Sequence, residues 1–148
     1  MAWHLAQINV GRLRVAIDHP LIAEFVAGLD AVNRLAEASD GFVWRLQTED
    51  GDATAIRISP DERVIVNVSV WTSLDALRAF VFRSGHSDFL RRRREWFEPY
   101  PSAATALWWI PAGHLPGVPE AIGRLADLDA RGPTADAFGF RNPFPPSG

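Results

Sequence analysis

Apolar and polar residues alternate along some stretches of this chain and recur at three- and four-residue spacing along others. The alternation is clearest from Val64 to Trp71. Val64, Val66, Val68 and Val70 fall on one face of a strand there, and Ile65, Asn67, Ser69 and Trp71 on the other. Valines in register specify a core face. Polar groups set among apolar ones on the opposite face predict that it too is covered, with hydrogen bonds to make. Trp3 to Val10 reads as a first strand, with Trp3, Leu5, Gln7 and Asn9 on one face. Leu21, Ile22, Phe25, Val26, Leu29, Val32 and Leu35 then mark an amphipathic helix, with Asp18 as its expected N-cap and Pro20 in its first turn.

Phe42 to Gln47 is a second strand, and Ala53 to Ile58 is a candidate short one. Thr72 and Asp75 form a capping-box-like pair that opens the next helix. Ser84-Gly85 interrupts it, a second piece runs from His86 to Phe97, and Pro99 and Pro101 stop that piece. Ala104 to Ile110 is a strand that puts one ring of Trp108-Trp109 on each face. A helix over Glu120 to Leu128 and a short strand over Ala137 to Phe140 follow. This order predicts an α+β fold: a ferredoxin-like split βαβ unit with an antiparallel sheet, plus an extra C-terminal helix and short strand. Residues 1–142 read as a single domain and 143–148 as a loose Pro-rich tail. Both sheet faces carry large apolar groups, so a homodimer joined sheet to sheet is expected.

Composition narrows the chemistry. A net charge of −3 argues against general nucleic-acid binding. No cysteine is present, which removes disulfides, thiolate catalysis and cysteine-ligated metals. The N-terminus lacks a signal-type segment and no apolar run is long enough for a membrane helix, so a cytoplasmic protein without membrane attachment is expected. Six tryptophans beside one tyrosine suit cores and aromatic-walled sites.

The candidate chemistry gathers on the face opposite the valines. Gln7, Asn9, Arg45, Asn67 and Ser69 share it if the strand register allows, and they either hold a polar ligand or bond one another. Trp71, Phe80 and Trp96 are aromatic candidates for substrate contact. His86 lies at the break between helical pieces, where a neutral imidazole serves as base or haem ligand, or simply caps the helix. Arg93 shares a stripe with His86, Phe89 and Trp96, and is expected to be buried and to pair with an anionic group. His4, His86 and His114 have no metal-binding spacing, so no metal is assigned.

Together, WHLAQINV, GFVWRLQ, NVSVWTSLDALRAFVFRSGH, RRRREWF, LWWIPAGHLP and GPTADAF resemble the family called domain of unknown function 3291. That family is similar to the dimeric α+β barrel superfamily, which includes cofactor-independent antibiotic-biosynthesis monooxygenases, haem-degrading monooxygenases and stress-responsive barrels. The resemblance implies a dimeric α+β barrel. It also implies a small enzyme, a monooxygenase as first reading, that acts without a cofactor on a hydrophobic aromatic or polyketide-like molecule. In that reading His86 is the base, Arg93 steadies the substrate anion, and Asn67 or Asn9 donates to the oxyanion. The haem-degrading relatives use an Asn, a Trp and a His; Asn9 stands for the first, Phe80 replaces the second, and His86 lies a few residues early for the third. The alternatives are a non-catalytic small-molecule-binding or stress-associated barrel, and a haem-binding protein with His86 as ligand.

Overall fold

The computed structural model describes residues 2–47, 58–83, 86–100 and 102–146, with 86–90 described in backbone only. The strands are β1 (Trp3–Leu13), β2 (Phe42–Arg45), β3 (Val64–Trp71), β4 (Phe97–Glu98) and β5 (Thr105–Pro111). The helices are α1 (Ala23–Glu37), α2 (Leu74–Arg83), α3 (His86–Trp96) and α4 (Val118–Arg131). The sheet runs β2-β3-β1, with β5 and the two-residue β4 in turn beside the far edge of β1. Every pairing is antiparallel. This is the ferredoxin-like α+β order.

Local chemistry moves several boundaries. His19, not Asp18, caps the first helical segment: its Nδ1 accepts from the Leu21 N–H at 3.0 Å, ahead of a 3-10 turn at Pro20–Ile22. Ser73, not Thr72, caps α2, with its Oγ accepting from the Ala76 N–H at 3.0 Å. The candidate strand over Ala53 to Ile58 lies outside the described residues except for Ile58, which is in a bend. Ala137 to Phe140 supplies two isolated bridges, Phe138 to Leu107 and Ala137 to Thr134, rather than a strand. The Pro-rich end is held at Phe144, whose carbonyl accepts from Trp109 Nε1 at 2.7 Å.

The two sheet faces divide as the alternation predicts. Val66, Val68 and Val70 pack with Ala6, Ile8, Trp108 and Ile110 beneath Ala121 and Leu125 of α4. Glu120 in the first turn of α4 accepts from Trp108 Nε1 at 3.0 Å and lies 2.6 Å from His114 Nε2. The chain's own α4 thus lies against this face. The opposite face lies under α1, α2 and α3 and carries two separate apolar clusters. One is built on Leu5, Trp71, Leu77, Phe80, Leu107 and Phe138, the other on Leu13, Ile22, Phe25 and Trp96.

β2 departs from simple alternation. Phe42 stands opposite Trp71 and Trp44 opposite Val70, so Val43 is an extra residue, a bulge. Val43 and Trp44 both pack toward the valine cluster, and Arg45 stands opposite Ser69 on the helix-covered face.

Candidate functional site

Between the two apolar clusters the sheet presents a polar floor. Along β1 the residues facing the helices are Leu5, Gln7, Asn9, Gly11 and Leu13, of which the outer two belong to the clusters. Gln7 stands opposite Ser69, which stands opposite Arg45. Asn9 stands opposite Asn67 on one side and Thr105 on the other. Two rows of polar side chains therefore cross three strands each.

The first row is buried. Gln7 is 7% exposed, Ser69 6% and Arg45 8%. Ser69 Oγ accepts from Gln7 Nε2 at 2.8 Å and from Trp71 Nε1 at 2.9 Å. The buried indole N–H and carboxamide are thus satisfied at one hydroxyl. Arg45 Nη2 lies 3.5 Å from Glu37 Oε1 on α1, and Arg45 Nε is buried without a hydrogen-bond partner. The second row is open: Asn9 and Asn67 are both exposed although they lie on central strands of a helix-covered face.

Aromatic groups close the floor at each end. Trp71 stacks on Phe80, with ring centroids 5.1 Å apart and an interplanar angle of 24°. At the other end, Phe25 meets Trp96 at 5.3 Å and Phe97 edge-on at 5.2 Å. Phe97 lies directly against Gly11, where an added Cβ would come 2.7 Å from its ring. From Gln7 to Gly11 the strand advances about 13 Å, enough for a fused aromatic ring system.

The structure brings Gln7, Asn9, Arg45, Asn67, Ser69 and Trp71 together, with Phe80 against Trp71. Trp96 is buried as expected, at 3% exposure, inside the second apolar cluster. Arg93 is exposed, and the burial expected of it is not found. Burying a guanidinium requires carboxylates around it. Here Arg92 has them: it pairs with Glu24 and, at 2.8 Å, with Glu95, and it lies 4.8 Å over the Trp96 ring. His86 opens α3, but its side chain lies outside the described residues, so the base and haem-ligand assignments have no geometry here.

Thr105 and Phe97 were not anticipated as site residues. Strand pairing alone assigns Thr105, and the aromatic after REW was the available signal for Phe97. The floor is polar and open at Asn9 and Asn67. Two hollows lie off it. One of about 410 Å³ is lined by Ser39, Asp40, Thr72, Ser73 and Phe80. The other, of about 260 Å³, lies on the opposite face against Tyr100, Leu125 and Asp129. Among the described residues no group of three or more His, Asp or Glu side chains is arranged to hold a metal, and no helix is long and apolar enough to cross a membrane.

Fold and floor together define a ferredoxin-like α+β protein with a polar strip between aromatic walls beneath its helices. The chain belongs to the family described as Domain of unknown function (DUF3291), whose profile matches residues 4–148. Among curated proteins none matches in sequence. Solved structures do match in fold. SnoaB from Streptomyces nogalater, described as a cofactor-independent oxygenase, is 18% identical, with a TM-score of 0.50 over 77% of this chain and 97% of its own. Rv0793 from Mycobacterium tuberculosis is 19% identical, with a TM-score of 0.50 over 78% of this chain and 98% of its own. The monooxygenase ActVA-Orf6 of Streptomyces coelicolor, solved with nanaomycin D, is 18% identical, with a TM-score of 0.41 over 78% of this chain and 93% of its own.

Proposed function

We propose that this protein binds a flat, largely apolar aromatic or polyketide-like molecule on the polar floor, and oxygenates it without a cofactor. The observation that carries the reading is the exposure of Asn9 and Asn67 in the middle of a sheet face that helices cover at both ends. Central-strand positions on a packed face are normally buried. Two carboxamides left open there, between aromatic walls, supply donors for ligand oxygens at low desolvation cost. The fold shared with SnoaB, described as a cofactor-independent oxygenase, is in keeping with this chemistry.

The reaction needs no external reductant. A ring methylene flanked by phenolic rings loses a proton to a base, and the electron-rich anion reacts with O2. The carbon ends as a carbonyl bearing one oxygen atom, and the other oxygen leaves as water with both hydrogens. His86 is assigned as the base and Asn9 and Asn67 as donors to the anion's oxygen. Arg93 is left out, because it is exposed.

The test uses an anthrone as substrate, following oxygen uptake and quinone formation against a protein-free control. Equal uptake and product, with His86→Ala slower by roughly a hundredfold or more, is the expected result. Binding seen by tryptophan fluorescence without any oxygen uptake would turn the assignment to a non-catalytic binding protein. Neither binding nor uptake would remove the reading altogether.

A further inference from the structure

We propose that the ligand carries an oxyanion or carboxylate at one end, and that Arg45 and Ser69 hold that end at the β2 side of the floor. This rests on the floor being the binding site, and it fixes the ligand's charge and orientation there.

Hydrogen-bond accounting leads to it. Ser69 Oγ accepts from two donors, Gln7 Nε2 and Trp71 Nε1. Both lone pairs of the hydroxyl are then engaged, and its own proton remains to be given away. The residue opposite it across the strands is Arg45, which has donors only. Arg45 Nε is buried and unpaired, and the guanidinium's one carboxylate contact among the described residues is a long 3.5 Å to a Glu37 side chain that is 45% exposed. A neighbouring hydroxyl proton and guanidinium N–H thus both lack an acceptor among the described residues, inside a region where an unpaired donor is costly. An anionic oxygen satisfies both at once. A cationic or donor-only ligand group satisfies neither and meets like charge.

The orientation follows from the rows. With its anion at Arg45 and Ser69, the body of the ligand extends over Asn9 and Asn67 toward Ile65 and Phe97, where the second apolar cluster begins. The aromatic end and the charged end therefore have separate places.

The experiment compares 2-hydroxy-1,4-naphthoquinone, an anion at neutral pH, with its neutral 2-methoxy ether, by tryptophan-fluorescence titration of the full chain. The unmodified protein should bind the anion tighter than the ether by roughly tenfold to a hundredfold, the range for a hydrogen bond to a charged group. Arg45→Met should bring the two probes to near-equal affinity, Arg45→Lys should keep part of the preference, and Ser69→Ala should lose part of it. A preference that survives Arg45→Met, or a Ser69→Ala variant with the full preference should Arg45→Met not fold, overturns the proposal while the binding site stands. Equal affinities in the unmodified protein overturn it likewise. Failure of both probes to bind the unmodified protein removes the site itself, and the proposal with it.

Discussion

At the scale of single residues, the sharpest constraint is the contact between Gly11 and Phe97. A Cβ at Gly11 would sit 2.7 Å from two ring carbons, so Phe97 must swing away to admit it. Gly11→Ala should therefore destabilise by about 1–3 kcal/mol, the usual cost of overpacking, read as a lower melting temperature. The same change tilts the aromatic end of the floor, so ligand affinity should fall with it. The polar floor was largely legible in the sequence, because strict alternation puts Gln7, Asn9, Asn67 and Ser69 on the face opposite the valines. Arg93 was misjudged for a reason that helical spacing cannot show. A stripe tells which side chains share a face, whereas carboxylates from distant segments decide which arginine is paired, and Glu24 went to Arg92.

At the scale of elements, β3 and the extent of α1 followed from periodicity, although Leu21 and Val26 of its expected apolar face are exposed, and the caps did not. Thr72 and Asp75 matched the spacing of a capping box, yet the Thr72 N–H bonds Gly41's carbonyl at 2.8 Å and the helix begins one residue later. Long-range backbone pairing had already claimed Thr72, which no local motif records. Ser73→Ala should cost about 1 kcal/mol by urea denaturation, while Thr72→Ala should stay within about 0.5 kcal/mol. Equal losses for both would return the capping role to Thr72. α4 was legible as a helix, but its seat on the valine face was not, because nothing in its own sequence says which of two apolar faces it covers.

At the scale of the whole molecule, one ion cluster ties the sheet's far corner together. Asp61 pairs with Arg12 at 3.1 Å and with Arg63 at 3.2 Å, and Arg63 reaches Glu98 at 3.0 Å. The Arg63 backbone N–H and then its guanidinium hold the Asp61 carboxyl below its ordinary range. A carboxyl depressed in the folded state stabilises fully above its unfolded pKa of about 4, and that contribution is lost as pH falls through the lower, folded value. Stability should accordingly decline below about pH 4, and Asp61→Asn should make the acid limb shallower. An acid limb of unchanged steepness in that variant would assign the decline to other carboxyls.

The extra residue at Val43 has a wider meaning than a local irregularity. Side-chain direction along a strand is a matter of parity, odd against even, and one inserted residue reverses it for everything downstream. Strict alternation of all four residues from Phe42's place on the helix-covered face would send Arg45 to the other side, a bare charge among valines; the bulge takes up Val43 and keeps Arg45 opposite Ser69. The cation thus comes to the floor by a change of count rather than a change of residue type. Deletion of Val43 would leave a regular strand with Arg45 still opposite Ser69, whereas a change of count that no bulge absorbs would turn the charge off the floor.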